Sequence, residues 1–179
     1  MSHEESASQE SLWTIYVRLW GRAEGAGAYV KYEAHAPFGE AGWFHPHVDE
    51  PSRGPEIVVV RAHYEERSAP TKGRTDKTPV SLMLELCTLA HEVGHLRSWL
   101  KGNRTKEYES ALLTMGGRLA AVPRRTPLLD SGDRLLIENE EKSAWQLGRR
   151  ELRDLGFVDW NDFDTAERAG LAVYAEILG

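Results

Sequence analysis

His91-Glu92-Val93-Gly94-His95 places two imidazoles four residues apart, with a carboxylate directly after the first. On an α-helix, positions four apart lie about 40° from each other and one turn apart along the axis, so both rings can converge on one metal ion. Zinc accepts such nitrogen ligands at about 2.0–2.1 Å. Glu92 is rotated by about 100° from His91. It is therefore placed to take a proton from a zinc-bound water as general base, not to compete as a ligand.

A catalytic zinc site needs a third protein ligand and keeps its fourth position for water. No histidine follows His95, so the third ligand is not a histidine further along the chain. Cys87 precedes His91 by one turn, but Cys87, His91 and His95 would span about 12 Å of helix, too far for one tetrahedral ion. Downstream carboxylates remain. Ile137, Glu141, Ala144, Gly148, Leu152 and Leu155 form one i, i+4, i+7 series, which puts Glu141 in an inward-facing stripe. A charge there is costly unless it is paired or bound to a metal. Glu138 and Glu140, on other faces of the same helix, are the alternatives, with His63 a more remote one. A donor for the transition-state oxyanion is also required. Tyr108, His63, Tyr64 and Tyr174 are the candidates, and the spacing does not choose among them. His45-Pro46-His47 is a loop pair without a third ligand and reads as incidental.

These residues carry a family resemblance. HEVGH with a glutamate from a later helix resembles the gluzincin branch of the zincin metallopeptidases. Glu141-Lys142-Ser143-Ala144-Trp145 is similar to the E-x-x-A element of ImmA/IrrE-type peptidases, with Trp145 where asparagine is usual. The resemblance implies one Zn²⁺ ion and a peptide or protein substrate. It also implies a sheet whose edge strand holds an extended peptide beside the metal helix. The expected activity is hydrolysis of peptide bonds by a zinc metallopeptidase. A zinc-binding regulatory or interaction domain with little or no turnover is the alternative, and retention of Glu92 speaks against it. A non-peptidase hydrolase such as a deformylase is disfavoured by the position of Cys87.

The elements that must position these groups follow from periodicity. Leu82, Leu86, Leu89, Val93, Leu96 and Leu100 share one helical face. Thr78-Pro79 is a start signal and Gly102 a stop, so the motif sits on one long helix walling a core from a cleft. Upstream, residues 1–10 read as a disordered tail. Leu12 to Trp20 reads as a strand, with Trp13, Ile15, Val17 and Leu19 alternating, and Ala28 to Ala34 as its hairpin partner. Glu56 to Tyr64 is the strongest strand signal and predicts a central, buried strand. Glu65 to Lys77 predicts a mobile surface loop. Downstream, helices are expected over Thr105 to Val122, Arg134 to Asp154 with Gly156 as its stop, and from an Asp164–Glu167 capping box to about Leu178. The fold class is α+β. A single domain over 1–179 is expected, with an antiparallel β-rich lobe over 11–77 before a helical part over 78–179 that holds the metal site.

Composition bounds the partners. A net charge of −6 and a pI near 5.7 argue against nucleic acid or an anionic membrane surface. One cysteine excludes an intramolecular disulfide and suits a reducing compartment. With no signal-peptide pattern and no apolar run of membrane-spanning length, the expected address is the cytoplasm. The sequence does not address the oligomeric state.

Overall fold

The stretch Leu12–Trp20 satisfies two periodicities at once, and tertiary packing selects the helical one. In the computed structural model, which describes residues 3–33, 41–47, 50–60, 79–102, 107–112 and 130–178, it lies inside helix α1 (His3–Gly25). The buried residues are Leu12, Ile15, Tyr16, Leu19 and Ala23, at helical spacing. Trp13 and Val17, needed inside by a strand, are 49% and 50% exposed. The expected strand is therefore a helix, and it begins at His3, within the segment read as a tail.

With that strand gone, the expected hairpin cannot form. β1 (Tyr29–Glu33) instead pairs in parallel with β3 (Glu56–Val60), Val30 opposite Ile57. β2 (Gly42–His45), read from sequence as loop, pairs antiparallel with β3, Phe44 opposite Ile57. A short 3₁₀ turn (Pro51–Arg53) connects β2 to β3. The order is β1-β3-β2, so the sheet is mixed where an antiparallel one was expected. β3 is central and every residue of it is buried, as its apolar run requires.

Helix α2 (Pro79–Leu100) carries the HEVGH motif, and Gly102 ends it at φ 72° with its N–H on the Trp99 carbonyl. α1, β2, β3, α3 and α4 all pack against it. Residues 82–96 are consequently buried or half-buried on every face, so α2 is a central helix, not a wall with one open side. A helical stretch at 107–112 follows. α3 (Ser131–Asp154) is capped by the Asp130 carboxylate, which accepts from the Asp133 N–H at 2.8 Å. It ends at Gly156, φ 83°. α4 (Trp160–Leu178) starts one turn before the expected capping box. Asp164 is not its cap; with Glu167 it binds the Arg149 guanidinium of α3. The architecture is α+β, an early three-stranded sheet followed by helices. No helix among the described residues is long and apolar enough to cross a membrane. The expected loop Glu65–Lys77 lies outside the described residues, as does most of the expected helix Thr105–Val122.

Helices α2 and α3 meet backbone to backbone. A Cβ on Gly94 would overlap the Ala144 carbonyl, and one on Gly148 would overlap the Ala90 carbonyl. Gly94→Ala and Gly148→Ala should each cost at least about 2 kcal/mol, because neither carbonyl can yield without parting the helices. Gly21→Ala on α1 meets nothing within 4 Å and should instead stabilise by about 0.5–1 kcal/mol. Thermal melts of the three variants test the seam.

Glu151 of α3 ties two further helices. Arg97 Nε on α2 lies 2.6 Å from its Oε1, and Arg22 Nη1 on α1 lies 2.9 Å from its Oε2. Burial alone would raise its carboxyl pKa, but the two guanidiniums hold it below the usual value. A depressed carboxyl stabilises the fold above the unfolded-state pKa, and this is lost as pH falls through the folded one. Glu151→Gln should therefore flatten the fall in melting temperature below about pH 4.3. An unchanged acid slope would assign that slope to other groups.

Candidate metal centre

The close seam between α2 and α3 brings the Glu141 carboxylate to both motif imidazoles. His91 Nε2 lies 3.1 Å from Glu141 Oε2, and His95 Nε2 lies 3.5 Å from Glu141 Oε1. Glu92 stands beside them, its Oε1 3.3 Å from His91 Nδ1. His91, Glu92 and His95 each offer a ligand-type atom, all within 4.8 Å of one another, and all three residues are buried. This is a site that could hold a metal ion. The Nε2 contacts to Glu141 show more directly than that grouping which carboxylate faces the converging nitrogens.

The other ring nitrogen of His95 is also committed. Its Nδ1 lies 3.1 Å from Glu140 Oε1, while Ser98 Oγ donates to Glu140 Oε2 at 2.7 Å. A proton on Nδ1 shared with that carboxylate leaves the Nε2 lone pair facing Glu141, which is the tautomer a metal needs. The His91 ring stacks on Trp145, centroids 4.4 Å apart at 19°, and so cannot swing away on that side.

Charge is concentrated here with little water to dissipate it. Glu141 is 1% exposed. Burial disfavours a charged His91, but the Glu92 and Glu141 carboxylates outweigh it and push its pKa up to about 10. Burial likewise opposes charge on His95, and Glu141 and Glu140 raise it all the same. Burial would raise the Glu141 carboxyl, yet the His95 and His91 imidazoles hold it well below the usual carboxylate range. Three carboxylates around two imidazoles make a pocket that attracts positive charge, whether protons or a cation. Even so, His91 Nε2 and Glu141 Oε2 make no hydrogen bond despite their 3.1 Å approach. The cluster thus brings two imidazoles and a buried carboxylate together, groups of the types that serve as zinc ligands.

The remaining sequence candidates fall in different places. Tyr174, from α4, lines a pocket together with Glu141, and burial and the Glu141 and Glu92 carboxylates raise its hydroxyl pKa well above the usual value. Tyr108, in the 107–112 stretch, is buried in a small cluster with Ala111 and Ile137, against which Tyr174 packs. His63 and Tyr64 lie outside the described residues. Cys87 is buried in the main core, and burial pushes its thiol pKa up to about 12. The His45 and His47 rings lie 4.0 Å apart, tilted by 31°, with the His47 backbone N–H donating to His45 Nδ1 at 3.0 Å. Sequence reasoning missed the partner role of Glu140 and the stacking of Trp145. The Glu140-Glu141 doublet was the available signal, since adjacent carboxylates on a helix can serve one ligand site from two sides.

Compared with protein-family models, curated proteins and solved structures, the chain matches none.

If Glu141 completes a three-ligand zinc site with His91 and His95, Glu141→Ala should abolish stoichiometric zinc binding. Glu140→Gln should weaken zinc binding by about 10–100-fold, through loss of the carboxylate behind His95. Competition titration with a chelator measures both. Equal zinc retention in wild type and Glu141→Ala would remove Glu141 from the ligand set.

Proposed function

We propose that the chain is a small zinc-dependent peptidase of the zincin type, with His91, His95 and Glu141 as ligands and Glu92 as general base. One observation carries this reading: both Nε2 atoms of an HExxH helix face a buried glutamate from another helix, with the motif glutamate beside them. Zinc held there would supply Lewis acidity toward a peptide carbonyl and acidify a water molecule.

The chain's own groups would do the rest. The Glu92 carboxylate takes the proton from the attacking water and returns it to the departing amine. Tyr174 is the candidate oxyanion donor, its side chain lining a pocket together with Glu141. β2 forms one edge of the sheet, and its Gly42 lies near the Glu92 side chain, where a Cβ would be blocked by the Val58 carbonyl and the Thr88 side chain. An extended peptide added along β2 would therefore pass close to the general base.

The depth of the cluster favours a second reading, a metal-stabilised domain without turnover. His91, Glu92 and His95 are 7%, 5% and 5% exposed, which suits a structural site. One variant separates the two. Glu92→Gln should retain zinc by elemental analysis, while cleavage of a mixed peptide library falls about 10²–10⁴-fold. Wild-type protein that holds zinc but cleaves nothing would establish the non-catalytic reading; protein that holds no zinc would overturn both.

A further inference from the structure

Between α3 and α4 the structure has a pocket of about 390 Å³. That volume lies in the range of small-ligand sites. Glu141 and Tyr174 line one part of it, so it borders the candidate metal centre directly. Leu171 supplies apolar wall, and Glu138 and two cations, Lys142 and Arg168, also line it.

The two cations differ in their commitments. Lys142 Nζ lies 3.3 Å from Glu138 Oε2, one turn earlier on α3, in an exposed ion pair. Arg168 has only a hydroxyl among the described residues, donating from Nη2 to Thr165 Oγ1 at 3.3 Å. The arginines that tie the helices together are different: Arg22 and Arg97 share Glu151, and Arg149 holds Asp164 and Glu167. An exposed guanidinium on a pocket wall keeps its planar fork of donors available for a carboxylate.

We propose that this pocket is a substrate subsite that binds a peptide carboxylate on Arg168, with the adjoining apolar side chain against Leu171. The assignment rests on the peptidase reading and deepens it. It makes the preferred substrate one whose carboxylate lies a short distance along the chain from the bond beside Glu141. The carboxylate can be the C-terminal one or that of an aspartate or glutamate side chain. Tyr174 stands between the subsite and the buried cluster, where a bound peptide would pass it.

Binding can be read without turnover. The probes are three N-terminally fluorescein-labelled tetrapeptides: three alanines and a C-terminal leucine as the free acid, the same peptide as its amide, and an amidated form with glutamate in the last position. Fluorescence anisotropy with the Glu92→Gln protein should show the free acid or the glutamate peptide binding about tenfold more tightly than the plain amide. Whichever carboxylate is preferred names the source. Arg168→Gln should erase that preference, and Arg168→Lys should restore part of it. Binding of the plain amide as tight as that of both carboxylate peptides overturns the subsite, as does the absence of binding by all three. A preference that survives Arg168→Gln also overturns it. The zinc content of the same preparation is measured separately, so a metal-free protein that still prefers the carboxylate would sink the peptidase reading and leave the subsite standing.

Discussion

The backbone contact between α2 and α3 is the constraint on which the other features depend. Ala90 and Gly94 on one helix face Ala144 and Gly148 on the other, with no space for larger side chains. A glutamate side chain is short, and Glu141 reaches both imidazoles only because the helices are this close. The ligand-type residues and the small residues alternate along the same two helices: His91 and His95 flank Gly94, while Glu141 precedes Ala144 by one turn. Packing and chemistry are therefore specified by one stripe on each helix. Neither can change alone.

That closeness excludes water, and exclusion of water sets the electrostatics. A buried carboxylate without compensation costs several kcal/mol, so the Glu141 side chain requires positive charge opposite it. The imidazoles provide it when protonated, and a divalent cation held there would provide it when they are not. Glu140 and Ser98 extend the arrangement one layer outward and orient the His95 ring. The result is a preorganised donor set whose geometry is maintained by the surrounding core.

Much of the centre was legible because helical periodicity converts directly into geometry. The i, i+4 spacing of His91 and His95 needs no knowledge of the fold, and the inward series through Glu141 required only the count of residues per turn. The α+β layout was readable for a similar reason: β3 is a continuous apolar run, and α2 has start and stop signals. The first strand was not, because Leu12–Trp20 alternates and also places Leu12, Ile15, Tyr16 and Leu19 on one helical face. Only the neighbours decide between the two patterns. The parallel pairing of β1 with β3 depends on that same choice, since a helix at α1 leaves β1 without a hairpin partner. β2 is short, and the prolines and glycines around it masked its strand character. At Asp164 the cap pattern was real in composition but answered to Arg149, a residue on another helix. Side chains recruited across helices leave no local trace.

The double ion pair at Glu151 has a bearing on how this fold can vary. Glu151 holds α1 and α2 from one end of α3, while Glu141 meets the His91 and His95 imidazoles of α2 from further along the same helix. Both are read off one rigid rod, so their separation acts as a gauge. One residue added or removed between them would turn one carboxylate away from its partners by about 100°. Lineages of this chain should accordingly tolerate changes of length in the connections around α3 far more readily than within it.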